Sequence, residues 1–274
     1  MGVSLFLGSH SMTADLARLA TAERKRSADL VEIFSAIQGE GPRTGERHLF
    51  VRFLHCDMKC AYCDTPACHT PLDSWRLERT PGRRDFERRS NPEPLASLCD
   101  IVNLALRGPV RHAAVSLTGG EPLLQPWAIR DLAPVARAAG ARVLLETDAN
   151  LDGAFDSVRD CIDIVSMDWK IPSATGEEVR KDAHVRILDH ARGIETYVKA
   201  VFAGSTPDHE ILDAARTVAR VRPEIPFILQ PVSAFGTFKD TPTPSRVLEV
   251  QELAMAVHAD VRVIPQVHRL SGQL

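Results

Sequence analysis

Residues 49–63 read LFVRFLHCDMKCAYC, and this stretch decides the fold. Leu49–His55 is an apolar and aromatic run, which predicts a strand. The chain then passes through Cys56-Asp57-Met58-Lys59-Cys60-Ala61-Tyr62-Cys63, a C-x3-C-x2-C spacing. The thiols therefore sit on a loop at the C-terminal end of the strand, where a (β/α) barrel carries its chemistry. Three cysteines on one short loop can hold three irons of a cubane cluster and leave the fourth iron open to a ligand. A closed structural site would want four ligands. Structural zinc is the competing reading: Cys68 and His69 could complete its set, although a second paired knuckle is missing.

The chain has 274 residues, 33 basic and 36 acidic, for a formal net charge of −3. That balance points away from a dedicated nucleic-acid binder. A hydrophobic share of 44% and a charged share of 25% suit a globular protein, and the length suits one large α/β domain. No apolar run approaches the roughly 18 residues that span a bilayer. The six cysteines lie at 56, 60, 63, 68, 99 and 161, with four clustered too tightly for a disulfide framework. Residues 1–29 lack a positively charged start, and Phe6 stands where a myristoylation signal needs Ser or Thr. They read as an N-terminal extension, with a cytoplasmic location expected. A reducing compartment makes metal or redox chemistry the better use of clustered thiols. Cys68 reads as a free thiol, and Cys99 and Cys161 as small core hydrophobes.

Beyond residue 30, short apolar runs alternate with helical patterns. Strands are predicted at Val31–Ile37, Leu49–His55, Ala114–Thr118, Arg142–Thr147, Ile162–Asp168, Thr196–Phe202, Phe227–Val232 and Val261–Ile264. Helices are predicted at Pro94–Leu106, Pro126–Ala139, Gly176–Ala191, Pro207–Val221 and Pro244–His258, several with proline where a helix start tolerates it. This alternation implies βαβ units and a parallel sheet, an open or closed α/β barrel over 30–274. One insertion breaks the rhythm. Residues 66–93, PACHTPLDSWRLERTPGRRDFERRSNPE, are arginine-rich and aperiodic, and read as a solvated loop or as a lid or partner surface beside the cysteines.

The next strands end in polar groups that belong at the same mouth. Leu117-Thr118-Gly119-Gly120-Glu121-Pro122-Leu123 offers glycines that let backbone approach a ligand closely, and a carboxylate that can accept from an ammonium. Glu146-Thr147-Asp148 and Asp168-Trp169-Lys170 close the following two strands.

C-x3-C-x2-C with an aromatic before its last cysteine, followed by TGGEPL, resembles the radical S-adenosylmethionine superfamily. The resemblance implies a partial (β/α) barrel of that type and a 4Fe–4S cluster on Cys56, Cys60 and Cys63. It implies an open iron that chelates S-adenosylmethionine, whose cleavage gives a 5′-deoxyadenosyl radical. No protein side chain is then the catalytic group. Thr118, Gly119, Gly120, Glu121, Glu146, Thr147, Asp148, Asp168 and Lys170 are the implied S-adenosylmethionine contacts.

The opening Glu32-Ile33-Phe34-Ser35-Ala36-Ile37-Gln38-Gly39-Glu40-Gly41 resembles the EIFSxxQGEG of the 7-carboxy-7-deazaguanine synthase (QueE) family. So do Phe50-Val51-Arg52-Phe53, Cys63-Asp64-Thr65, Gln230-Pro231-Val232 and Pro265-Gln266-Val267-His268-Arg269. The resemblance implies conversion of 6-carboxy-5,6,7,8-tetrahydropterin to 7-carboxy-7-deazaguanine with loss of ammonia and with S-adenosylmethionine regenerated. It implies Mg2+ held by Thr65, a homodimer, and an electron donor such as flavodoxin or ferredoxin. Nucleic acid and membrane are not expected partners. Gln38 and Glu40 suit the amide and amino edge of a pterin, and Arg52 suits its carboxylate. Gln230 and His268 complete the expected substrate pocket. The chain departs from the family at Asp148, at Met167–Lys170 in place of an SPK run, and at Arg269 in place of lysine. A radical enzyme for another pterin-like substrate, or a glycyl-radical activase, is the alternative.

Overall fold

The computed structural model describes residues 26–273, so most of the expected 1–29 extension lies outside the described residues. The strands are β1 Ser27–Ala28, β2 Leu30–Ile37, β3 Arg47–Phe53, β4 Ser74–Glu78, β5 Phe86–Ser90, β6 Glu93–Pro94, β7 Ala114–Gly119, β8 Arg142–Thr147, β9 Ile164–Trp169, β10 Glu195–Phe202, β11 Phe227–Pro231 and β12 Val261–Val263. The helices are α1 Leu95–Leu106, α2 Pro126–Ala138, α3 Asp152–Val158, α4 Pro172–Thr175, α5 Lys181–His190, α6 Asp208–Val221, α7 Pro244–Met255 and α8 Val267–Leu270. One ten-stranded sheet runs in the order β12-β11-β10-β9-β8-β7-β3-β2-β4-β5. From β3 through β12 the neighbours are parallel and follow chain order, while β2 lies antiparallel to β3. The ladder ends at β12 and β5, which do not pair, so the barrel is partial.

Burial explains why these residues take these elements. Both faces of a parallel sheet are covered, so its strands are nearly all apolar rather than alternating. β7 is buried at every position but its last, and β10 at every position but its first. Helix α6 buries Ile211, Ala214, Ala215 and Val218, the i, i+3, i+4, i+7 stripe of an amphipathic helix. Pro244 begins α7, and the Thr243 hydroxyl caps it by accepting from the Arg246 N–H at 3.2 Å. The predicted helix from Gly176 instead starts at Lys181, because Gly176 adopts φ 76° and terminates α4. Cys99 and Cys161 are half-buried, packed against the main core.

The arginine-rich insertion is structured. Pro66–His69 forms a single helical turn whose Cys68 is buried against Val31 and Leu54. β4 then adds parallel to β2, and β5 returns antiparallel, extending the sheet. Trp75 is fully buried, and its indole N–H donates to Glu93 Oε2 at 3.0 Å. Arg89 pairs with Glu93 at 3.0 Å and Arg76 pairs with Glu32. The polar composition is that of edge strands, which carry charge on their outer face while one aromatic anchors the inner face. Trp75→Ala is therefore expected to destabilise the protein by about 3–5 kcal/mol. Chemical denaturation checks this, and an unchanged midpoint would mean that the hairpin is not part of the cooperative core.

Candidate active site

At the C-terminal ends of the parallel strands a cavity of about 560 Å³ opens. Its walls come from the ends of β2, β3, β7, β8, β9, β10 and β11, the cysteine loop and the C-terminal tail. The junction of β3 with β7 sets its geometry. The Gly120 N–H donates to the Phe53 carbonyl at 3.0 Å, and the Glu121 N–H to the His55 carbonyl at 2.8 Å. A Cβ on Gly120 would stand 1.6 Å from the His55 oxygen, and one on Gly119, at φ 120°, 2.4 Å from the Phe53 oxygen. The two glycines thus let the backbone at the root of the cysteine loop seat on the end of β7. Beyond that root, the Ala61 N–H donates to the Thr175 carbonyl at 2.8 Å, which pins the loop to the end of α4.

Cys56, Cys60 and Cys63 are all half-buried and line the cavity. Burial pushes the Cys56 thiol up to about 12 and raises Cys60 and Cys63 as well, so a metal must displace protons to bind them. Among the described residues, the set of three potential ligand atoms within 4.8 Å of one another is Cys56, Asp57 and Asp148. The three loop sulfurs are spread wider than that. A single zinc, with Zn–S near 2.3 Å, needs sulfurs about 3.8 Å apart. The three thiols as they stand are therefore too far apart for one zinc to be held by all of them. Cys68 points away, its S–H donating to the Phe53 carbonyl at 3.6 Å. The zinc set with Cys68 and His69 is therefore not assembled.

Behind the cysteines lies a carboxylate-rich wall. Glu121 is fully buried and does not line the cavity. Its oxygens accept from the Leu123 N–H at 2.8 Å, the Asp148 N–H at 2.8 Å and the Thr147 hydroxyl at 3.0 Å. Burial nevertheless lifts it to about 7. The carboxylate expected to face a ligand instead braces the end of β8. Asp148 does line the cavity, and burial, then the nearby Glu121, raises it well above the usual carboxylate range. Its Oδ2 has no partner. Glu146 accepts from the Thr118 hydroxyl at 2.7 Å and from Gln38 Nε2 at 2.9 Å.

The opposite wall is a charge relay of alternating sign. Lys170 donates to Asp168 Oδ2 at 2.8 Å. Asp168 Oδ1 lies 3.0 Å from the Lys199 ammonium, which also pairs with Glu40. Glu40 Oε1 accepts from Gln230 Nε2 at 3.0 Å and Gln266 Nε2 at 2.8 Å. Burial works to raise Glu40, but the Lys199 charge outweighs it and holds the carboxyl at about 2. Arg52 Nε donates to Glu32 Oε1 at 3.0 Å, and Arg52 Nη1 to the Thr65 hydroxyl at 3.3 Å. Thr65 in turn donates to Asp64 Oδ1 at 3.2 Å. The tail closes this side: Arg269 Nη2 donates to Asp64 at 3.0 Å and the Val267 N–H to the Gly39 carbonyl at 2.9 Å. His268 packs so closely on Gly39 that a Cβ there would meet it at 2.3 Å.

Of the residues expected from sequence, Gln38, Glu40, Arg52, Cys56, Cys60, Cys63, Thr65, Thr118, Gly119, Gly120, Glu146, Thr147, Asp148, Asp168, Lys170, Gln230 and His268 all line this one cavity. Sequence reasoning missed Lys199, Gln266, Glu32 and Arg76, which line it too. Lys199 had a readable signal, a lone charge in the apolar run TYVKAVF. Arg76 had none, because it arrives from the insertion.

No protein-family model matches the chain. Over 251 residues it is 43% identical to the 7-carboxy-7-deazaguanine synthase of Geobacter sulfurreducens, covering 91% of this chain and 99% of that relative. Among solved structures, QueE from Escherichia coli shares the fold with a TM-score of 0.56 at 20% identity, covering 88% of this chain and 94% of the other. SuiB from Streptococcus suis bound to S-adenosylmethionine gives a TM-score of 0.55 at 14% identity, over 96% of this chain and 57% of the other.

Each of Cys56→Ala, Cys60→Ala and Cys63→Ala is expected to abolish uptake of iron and acid-labile sulfide, whereas Cys99→Ala is expected to retain both. Full iron and sulfide in the Cys60 variant would contradict the assignment.

Proposed function

The chain belongs to the 7-carboxy-7-deazaguanine synthase family, and from that membership we propose that it is a radical S-adenosylmethionine lyase. It converts 6-carboxy-5,6,7,8-tetrahydropterin to 7-carboxy-7-deazaguanine with release of ammonia. The carrying observation is convergence. The three-cysteine loop and the Gln38, Glu40 and Arg52 set, brought from separate strands, face one cavity large enough for a cofactor and a substrate side by side.

An iron–sulfur cluster on Cys56, Cys60 and Cys63, together with S-adenosylmethionine, supplies one-electron chemistry at a substrate C–H bond. Three free, half-buried thiols on one cavity-lining loop are the donor set that such a group takes. The unpartnered Asp148 Oδ2 on the same wall offers a polar contact for the amino acid part of S-adenosylmethionine. Thr118, Gly119, Gly120, Glu146, Thr147, Asp168 and Lys170 form the rest of that subsite, with Glu121 supporting it from behind.

On the substrate side, Glu40 is held ionised, and the one lone pair that Lys199, Gln230 and Gln266 leave open accepts from an N–H of the pterin edge. Gln38 and Gln230 fix the ring, and the Gln230 Oε1 that lacks a partner is free to accept. Arg52 meets the substrate carboxylate, with Glu32 gripping its Nε so that the guanidinium keeps one orientation. The Thr65 hydroxyl and the adjacent Asp64 carboxylate are hard oxygen donors suited to Mg2+. His268 and the tail exclude water above the ring. Flavodoxin or ferredoxin as reductant, a homodimer and a cytoplasmic setting complete the reading. No helix among the described residues is long and apolar enough to cross a membrane. No described feature favours a glycyl-radical activase.

Anaerobically reconstituted protein, supplied with S-adenosylmethionine, reductant, Mg2+ and the carboxylated tetrahydropterin, is expected to form 7-carboxy-7-deazaguanine. No product from protein with its full iron and sulfide would sink the proposal, as would zinc in place of iron. Arg52→Met is expected to raise the KM for the pterin roughly 10- to 100-fold, the worth of a lost charge-assisted contact. An unchanged KM would remove Arg52 from the carboxylate site.

A further inference from the structure

Lys199 stands in the middle of β10, flanked by Val198 and Ala200, both fully buried. Lysine is almost never buried unless its charge is paired. Here the pairing is double. Its ammonium meets the Glu40 carboxylate, on the segment that follows β2, and lies 3.0 Å from Asp168 Oδ1 on β9. Backbone pairing sets the second contact, because Lys199 and Asp168 are direct register partners across β9 and β10. The first crosses the cavity, since Glu40 belongs to the far side of the partial barrel. Within the sheet those two sides are linked only through β9, β8, β7 and β3, and beside this ion pair the segment after Glu40 meets β10 again, where Gly41 packs on the Tyr197 ring and Arg43 pairs with Glu195.

Resting on the reading of the site given above, we infer that Lys199 is a positioning residue. It ties the substrate-reading Glu40 to Asp168 and so sets the distance between the pterin half and the S-adenosylmethionine half of the cavity. The physical reasons are three. A buried ion pair contributes little net stability, because desolvation offsets its attraction, so this one is better explained by the geometry it imposes. Glu40 needs a fixed direction if its one remaining lone pair is to accept from the ring edge, because Lys199 occupies Oε2 while Gln230 and Gln266 occupy Oε1. Asp168 is held from both sides, by Lys199 and by Lys170, so it gives Lys199 a rigid anchor. Hydrogen abstraction depends on placement to a fraction of an ångström or so, which a loose Glu40 would not supply.

The test uses holoenzyme with Lys199→Met and Lys199→Arg, each alone and combined with Glu40→Gln. Expected for Lys199→Met are unchanged iron, sulfide and S-adenosylmethionine binding, a KM for the carboxylated tetrahydropterin raised roughly 10- to 100-fold, and more 5′-deoxyadenosine released per product. That last ratio reports misplacement, because correctly placed turnover regenerates S-adenosylmethionine. Lys199→Arg keeps the charge and is expected to restore most of the coupling. In the Glu40→Gln background the Lys199→Met effect should largely vanish, since residues acting through one another are not additive. Wild-type KM and ratio in Lys199→Met, or full additivity with Glu40→Gln, would overturn the inference. If Lys199→Met does not fold, Lys199→Gln, which removes the charge but keeps a donor for Glu40, takes its place in the same cycle with Glu40→Gln. Fluorescence titration with 6-carboxypterin separates this inference from the activity. Should the wild-type protein bind that ligand yet make no product, the proposed reaction fails. The Lys199 inference then stands if its variants weaken binding by the same factor, and falls if they do not.

Discussion

The close seating of the β3 end upon Gly119 and Gly120 is the constraint on which the rest of the site depends. Phe53 and His55 present their carbonyl oxygens to the N–H groups of Gly120 and Glu121, at a distance that leaves no room for a Cβ. From that junction the cysteine loop departs in one direction and Glu121 reaches in the other. Glu121 gathers the Thr147 hydroxyl and the Asp148 N–H, so the end of β8 is placed by the same contact that places the cysteines. A side chain at Gly120 would therefore disturb two walls of the cavity at once.

Electrostatics then sorts the carboxylates of one cavity into different states. Glu40 sits against a buried ammonium and is driven down; Asp148 sits against Glu121 in a desolvated pocket and is driven up. Both follow from the same rule, that burial penalises charge and a neighbour of opposite or like sign decides whether the penalty is overcome. The result is an anionic acceptor on one side of the cavity and a carboxyl biased toward its neutral form beside the cysteines. Arg52 and Arg76 share Glu32 between them, which places positive charge on the cavity wall.

Much of this was legible in the chain. The parallel sheet followed from alternating apolar runs and amphipathic stretches, because burial on both faces leaves a signature that needs no tertiary information. The cysteine spacing marked a loop that does line the cavity, and the strand-end motifs marked the cavity wall. The insertion was misjudged for a definite reason: an edge hairpin held by Trp75 and by arginine–glutamate pairs has the composition of a loop. Glu121 was read as facing a ligand because sequence shows which strand end a carboxylate follows and not which way it turns.

The sequence by itself determined the alternation of the main strands and helices, the clustering of three cysteines on one loop and the family, since each is carried by local spacing and by residue type. Tertiary structure alone decided which groups touch. Lys199, Glu40, Gln266 and Asp168 are far apart along the chain, and only the curvature of the sheet and the return of the tail bring them within hydrogen-bond reach. Hydrogen bonds and ion pairs act over a few ångströms, so their partners are fixed by the folded path of the backbone and leave no periodic trace in the order of residues.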